Sequence, residues 1–553
     1  MIARKTLCLS ITFFLLITGI TVAQTGHNRA GQWQEDIDFL LAKIEEIHPN
    51  PYRRISRDEF SEAAKAFKQK LPELSENQRL VGLMRLVSLL EDGHTNVYPY
   101  LPDKEYAVFP FRMFKFQEGI FITVAPEDQK ELVGAEVLTI GNLSAAEAFV
   151  RFEELIMGDN EFYRMAFAPR ILIMADLLEG LGIIESNDVL PLRVRTTNGD
   201  ELNVSMKSVA HNGSGGWFWW PFMGPSTKDL KYVHAFENQE KLPRFINRER
   251  RRYWFEHILE SNMIYMHMLS FRDLKDESFE AFLDRMFRYM DLNNVDKLIY
   301  DIRWNSGGNG KLIWQLIYRI IKRDRINTLG NLFVITGRKS FSASVLSVAQ
   351  MKQHTKCIVV GEPIAAPFNS YGDTSSVRLP HTGYLVYISD LYWQTGHPDD
   401  ERSCVSPDVV VPVTAEDYFQ GYDRALELIL EGKAKTLLRA FREDGVEAGT
   451  SQYRQMLQAY DFPGWKPFSE REMHNIGRDL KKAGYLDEAM AAYTFNVEAF
   501  PKAWNAWDDL GEIYCLKEKY EQAIEFYRKS LEFNPGNSNA EHMIKEIKQK
   551  QNK

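Results

Sequence analysis

Between residues 262 and 415, short apolar runs alternate with amphipathic ones, and no other stretch of the chain restricts its fold so tightly. Met263 to Leu269, Lys297 to Ile302, Leu332 to Thr336, Cys357 to Gly361 and Tyr384 to Ser389 are short and continuously apolar, as buried strands are. Glu277 to Tyr289, Lys311 to Lys322 and Ala343 to Met351 carry apolar residues at helical spacing between them. This alternation predicts an α/β core, in which loops at the strand ends can assemble a compact site.

The flanking segments have other periods. In residues 30 to 92, Ile37, Leu40, Leu41, Ile44 and Ile47 recur every three or four positions, as do Leu80, Leu83, Leu86 and Leu90. That spacing predicts helices, interrupted at His48-Pro49-Asn50-Pro51. From Ala107 to Val209 the pattern turns to β-rich runs, among them Gly119 to Val124 and Glu136 to Asn142; the second ends in a Gly-Asn turn, after which Ser144 opens a helix. This stretch resembles a PDZ-like module, in which an open strand edge takes up an extended peptide. Residues 210 to 228 are rich in Gly, Ser and Pro, and their Trp217 to Phe222 aromatic cluster is expected to pack beneath a neighbouring element.

Near the C-terminus the sequence repeats every 34 residues: Ala489, Tyr493 and Pro501 recur as Ala523, Tyr527 and Pro535, and Ile476-Gly477 as Leu510-Gly511. Small residues let paired helices approach, large ones fill the groove between them and the prolines end each unit, a pattern that resembles tetratricopeptide repeats. Two units are few for an independent array, so they are expected to lean on residues 416 to 470. Their motif residues are helix-packing residues, which makes them separable from any chemistry; such repeats offer a surface for a protein partner, and bracing the α/β core is an equal expectation. The expected domains are a signal peptide at 1–23, helices at 24–100, the β-rich module at 101–215, the α/β core at 216–415, a helical connector at 416–470 and the repeats at 471–553.

The first residues read as a secretory signal: Arg4-Lys5 is basic, Leu7 to Val22 apolar, and Thr21-Val22-Ala23 a small-residue cleavage site. A periplasmic or secreted protein follows, without a membrane span in the mature chain. Removing Arg4 and Lys5, and no acid, takes the formal charge from −9 to −11, which disfavours nucleic acid as a partner. Cys357, Cys404 and Cys515 are too few and too uneven for a disulfide framework and are expected as free thiols, a single Cys357–Cys404 bridge being the alternative in an oxidising compartment. No His, Cys, Asp and Glu cluster has the spacing of a zinc or calcium site, so no cofactor is expected.

Three separated segments carry chemistry. Leu89 to Thr95 ends a helical pattern in Gly93 and presents His94 in a loop, where it is available for proton transfer. Leu298 to Gly310 runs an apolar strand into Asn305-Ser306-Gly307-Gly308, a turn whose backbone N–H groups can face a substrate oxygen. The Lys-Ser/Thr pair of a phosphate-binding loop does not follow it. Leu332 to Ser344 leads a strand through a short loop to Ser342 at a helix N-terminus, where helix N–H groups favour negative charge; taken alone, Ser342 reads rather as a helix cap.

Together with Val359 to Pro363 and Val405 to Val411, these segments, in this order, resemble the C-terminal-processing and tricorn-core serine peptidases. The resemblance implies a crotonase/ClpP-like α/β core and hydrolysis of peptide bonds in a peptide or unfolded protein. It implies Ser342 as nucleophile and the N–H groups of Ala343 and Gly307 as oxyanion donors, with Gly308 the alternative. Processing proteases use a lysine just beyond the Gly-Glu turn, but Pro367 stands there. Tricorn-like members use an upstream histidine and a later glutamate, matching His94 and Glu401, with Asp399 and Asp400 competing for the acid role. The rival expectation is a catalytically inactive protein that binds peptide or a lipophilic ligand on the same fold.

Overall fold

The computed structural model describes residues 29–101, 104–211, 231–237, 242–246, 251–398, 400, 402–462 and 464–551. The expected signal peptide, the Trp217 to Phe222 cluster, Asp399 and Glu401 lie outside them. The chain divides into two compact units, one of residues up to 242 with 365–398 and 414–422, the other of 243–364, 399–413 and 423 onward. No helix among the described residues is long and apolar enough to cross a membrane.

The first unit opens with a helix over residues 29–47, broken at His48-Pro49 because proline cannot continue it. Helices Arg57–Lys70 and Glu76–Ser88 follow, each started by a reciprocal cap, Ser56 with Glu59 and Ser75 with Gln78. Ile37, Leu40 and Ile44 are buried with Leu80, Leu83 and Leu86, so the predicted stripes do face a core. The β-rich module is an antiparallel sheet in which Tyr232–His234, Ile120–Pro126, Glu136–Ile140, Val189–Arg195 and Glu201–Lys207 lie side by side. Ser144 caps helix Ala145–Glu153, as its position after the Gly141-Asn142 turn predicts. Helices Glu161–Ile171 and Ala175–Gly180 inside this module were not legible as helices. Eight of the eleven residues of Glu161–Ile171 are buried, which erases the two-faced pattern that reveals a surface helix.

The second unit holds a six-stranded sheet whose order follows the sequence: Tyr253–Ile258, Met263–Met268, Lys297–Asp301, Leu332–Thr336, Ile358–Gly361 and Val409–Val410. The first pair is antiparallel and every later pair parallel. All of Met263–Met268 and Leu332–Thr336 is buried, the condition of a sheet covered on both faces. Helices Phe279–Leu292, Ile313–Ile321 and Ala343–His354 connect the parallel strands. One expected strand belongs elsewhere. Leu385–Ile388 pairs antiparallel with Asn96–Tyr98 and Ser375–Arg378 in the first unit, because an apolar run specifies a strand but not the sheet that receives it.

The repeats belong to the second unit. Helices Glu470–Lys482, Leu486–Ala499, Trp504–Leu516 and Tyr520–Phe533 form two hairpins, closed by Ser538–Gln551. A Cβ on Gly477 would meet the Tyr493 ring at 2.4 Å, and one on Gly511 the Tyr527 ring at 2.9 Å, so the repeating glycines are where each tyrosine needs its space. Leu437, Phe441, Tyr453, Met456 and Phe468 share one apolar cluster with Met473, Leu480 and Tyr493, the support expected from residues 416 to 470.

Candidate active site

In the second unit, two turns follow the C-terminal ends of adjacent parallel strands. The strand Lys297–Asp301 leads to Asn305-Ser306-Gly307-Gly308, and Leu332–Thr336 leads to Phe341-Ser342-Ala343. This is where an open parallel sheet presents its ligands.

Ser342 precedes helix Ala343–His354 with φ 58° and ψ −121°, and its side chain makes no capping hydrogen bond. Every serine that caps a helix here does the opposite: Ser56, Ser75, Ser144, Ser278 and Ser469 have φ between −60° and −75° and accept from the third helical N–H. Ser342 is therefore held in a strained strand-to-helix elbow that presents its hydroxyl instead of using it as a cap. The Ala343 N–H, first of the helix, has no acceptor among the described residues.

Gly307 lies directly against this elbow. Its φ is 109°, and a Cβ there would stand 2.6 Å from Ser342 Cβ and 3.1 Å from Ser342 Oγ. Its N–H is already engaged by Asn305 Oδ1 at 2.8 Å. The Gly308 N–H, by contrast, has no acceptor among the described residues, and Phe271 brackets the turn by donating to the Gly307 carbonyl and accepting from Asn309 N–H. Sequence reasoning missed Asn305. This buried residue holds Gly307 with its side chain, while its carbonyl accepts from Phe341 N–H at 3.1 Å and Ser344 Oγ at 2.8 Å, fastening one turn to the other. The only signal for it was its place beside the glycines.

Arg338 and Glu362 brace the loop ahead of Ser342. Both are buried, with Arg338 Nε 3.0 and 3.1 Å from the two carboxylate oxygens. Burial disfavours the guanidinium charge, but the Glu362 carboxylate outweighs it and raises the Arg338 pKa. Gly361 must be glycine, since a Cβ at its φ of 123° would fall 2.2 Å from the Thr336 carbonyl oxygen. Cys357, Cys404 and Cys515 are free thiols.

His94 lies in the first unit, in the turn after helix Glu76–Ser88, and its ring nitrogens are buried. Its backbone N–H donates to Asp92 Oδ1 at 3.0 Å, while Asp92 Oδ2 accepts from Thr95 Oγ1 at 2.5 Å and meets His48 Nε2 at 3.1 Å. Asn50 N–H donates to His48 Nδ1, so His48 must carry its proton on Nε2 and donate it to Asp92. On the other side, Gly93 N–H donates to half-buried Asp159, and Tyr163 donates its hydroxyl proton to the Gly93 carbonyl. Burial would raise both carboxyl pKa values, and it does raise that of Asp159. For Asp92 the hydrogen bond from His48 and the other donors win, so Asp92 stays ionised. Burial also lowers the His94 pKa, opposed by Asp92, Asp373 and the Tyr371 backbone, so the ring is held in the neutral, proton-accepting form. The structure thus brings Ser342, Ala343, Gly307 and Gly308 together, and separately anchors His94 by partners from distant segments.

No curated protein matches the chain in sequence. A tetratricopeptide-repeat family profile matches residues 504–537. Among solved structures, mature CPAF complexed with lactacystin aligns at 14% identity and a TM-score of 0.52, over 73% of this chain and 98% of its own. Mature CPAF aligns at 13% and 0.51, over 74% and 99%. The photosystem II D1 C-terminal processing protease aligns at 12% identity with a TM-score of 0.35, over 73% and 97%. Over about three quarters of its length the chain therefore shares the fold of mature CPAF, and it carries a tetratricopeptide repeat as well.

Proposed function

We propose that the protein is a serine peptidase, exported to a periplasmic or extracellular space, that cleaves peptide bonds in extended or unfolded chains. Ser342 is the nucleophile. His94 accepts the Ser342 hydroxyl proton as Oγ attacks the scissile carbonyl, and Glu401 balances the imidazolium charge. The resulting oxyanion is held by backbone N–H groups at the elbow. Ala343 supplies one, and Gly308 is the second, because the Gly307 N–H would first have to leave Asn305. His94 then gives its proton to the departing amine. A water, deprotonated by His94, attacks the acyl carbonyl and releases the new carboxyl end, which restores Ser342. The β-rich module offers a strand edge along which an extended substrate pairs, and the repeats offer a surface to a protein partner.

The observation that carries this reading is the Ser342 elbow: a serine at positive φ, its hydroxyl not used as a cap, beside a free helix N–H. A binding protein gains nothing from that strain. A fluorophosphonate probe tests the reading directly, with labelling of the wild type and none of Ser342→Ala expected. Absence of labelling and of peptide cleavage in the wild type would favour the inactive binding protein.

A further inference from the structure

Within the second unit, the first repeat helix touches the loop that precedes the last strand directly, and charges on that helix and the connector reach the braces of the Ser342 elbow. Arg402 binds Asp400 through Nε and Nη2 at 2.9 and 2.7 Å, and through Nη1 it reaches Glu472 Oε2 at 2.6 Å, on helix Glu470–Lys482. Lys352, on the helix that Ser342 opens, donates to Asp408 Oδ1 at 2.9 Å and feels the charge of Glu472 as well. Asp408 Oδ2 accepts from Val359 N–H, which ties the same loop to the sheet. In the connector, the Tyr460 hydroxyl oxygen is buried, and the charges of the Arg338–Glu362 pair that braces the loop before the serine act on it.

Glu472 has a second task. It is the third residue of its helix, and its carboxylate accepts from Ser469 N–H in a reciprocal cap, so the helix start and the Arg402 contact share one side chain. A partly buried guanidinium that loses one of the carboxylates it binds loses part of its compensation, and the loop around it shifts to recover it. That loop, 400–408, contains the position of Glu401.

We infer that Glu472 and Arg402 are positioning residues for turnover, which makes the first repeat helix a working brace of the peptidase site. This rests on Ser342 as nucleophile and Glu401 as its acid. It differs from the expectation that the repeats are separable from chemistry, since that expectation weighed only their motif residues and Glu472 is not one of them. A partner bound to the repeats would act on turnover through this contact.

The test uses the full chain with Glu472→Gln, because glutamine at the third helical position still completes the cap but removes the charge that Arg402 needs. An unfolded fluorogenic protein substrate and a fluorophosphonate report on the site. The expected result is a fall of about 10- to 100-fold in kcat and in labelling rate, with KM little changed and the melting temperature near that of the wild type. Tyr460→Phe, which removes the phenol from the Arg338–Glu362 pair, should lower kcat in the same sense. Glu498→Gln, which breaks the exposed pair between Arg454 on the connector and Glu498 on the repeats, should change neither. Wild-type kcat and labelling in Glu472→Gln would overturn the inference. So would a loss that merely follows the unfolded fraction and vanishes on cooling. If Ser342→Ala still cleaves and labels, the peptidase assignment itself is wrong and the inference falls with it, an outcome distinct from a normal Glu472→Gln in an enzyme that depends on Ser342.

Discussion

Ser342 occupies a backbone conformation that costs a residue with a Cβ on the order of 1–3 kcal/mol, and its neighbours are built to impose it. Asn305 is the central fastening. Replacing it with alanine keeps the main-chain carbonyl that holds the second turn but leaves the Gly307 N–H without its acceptor and the glycine turn free to drift, so Asn305→Ala should lower kcat about 10- to 100-fold while the protein still folds, as steady-state kinetics and a thermal melt would show. His94→Ala and Ser342→Ala should each reduce turnover by several orders of magnitude, and the double variant should be no worse than either alone, because the two act as one unit. The pH profile carries a sign. Burial lowers the His94 pKa, so the neutral base persists below the reference value near ~6.5, and the acid limb of kcat/KM should have its midpoint below that value. Normal turnover in His94→Ala would send the search for a base to buried Lys339, three residues before the serine.

At the scale of elements, the strand Met263–Met268 carries a group with no role in the proposed chemistry. His267 is wholly buried, stacks on Tyr265 at 6.4 Å, and has no hydrogen-bond partner among the described residues. Burial depresses its pKa to about 4, only partly opposed by Asp301. A histidine with a folded pKa below its unfolded one binds fewer protons when folded, so stability falls as pH drops from ~6.5 towards the folded value, by up to ~3 kcal/mol. Denaturant melts across that window should show the slope, and His267→Leu should flatten it. An unchanged slope would assign the acid sensitivity to other groups.

For the molecule as a whole, the proposed substrate route runs along the edge of the β-rich sheet, which only an extended chain can join. Cleavage of a tightly folded domain should therefore be at least tenfold slower than that of the same domain unfolded, as gel-based rate measurements would show. Equal rates would remove the reason to assign the module a guiding role. The CPAF-like fold and the repeat are shared with known proteins, and in this chain the contact between Glu472 and Arg402 joins the repeats to the loop that precedes the last strand of the sheet.

What the sequence determined was local. The strand runs, the Gly307 and Ser342 turns and the 34-residue spacing of Gly477 and Gly511 each follow from the needs of neighbouring residues, so period and turn chemistry expose them. The order of motifs added the resemblance, and with it the choice of Ser342 and His94. What the tertiary structure decided was pairing at long range. It decided that Leu385–Ile388 joins Asn96–Tyr98, that Asn305 couples two turns, that His48 and Asp159 hold the ends of the His94 turn, and that Arg402 meets Glu472. A polar residue shows its type in sequence, whereas its partner is chosen only when burial removes water and leaves each buried donor or acceptor to find whatever group the fold has brought beside it.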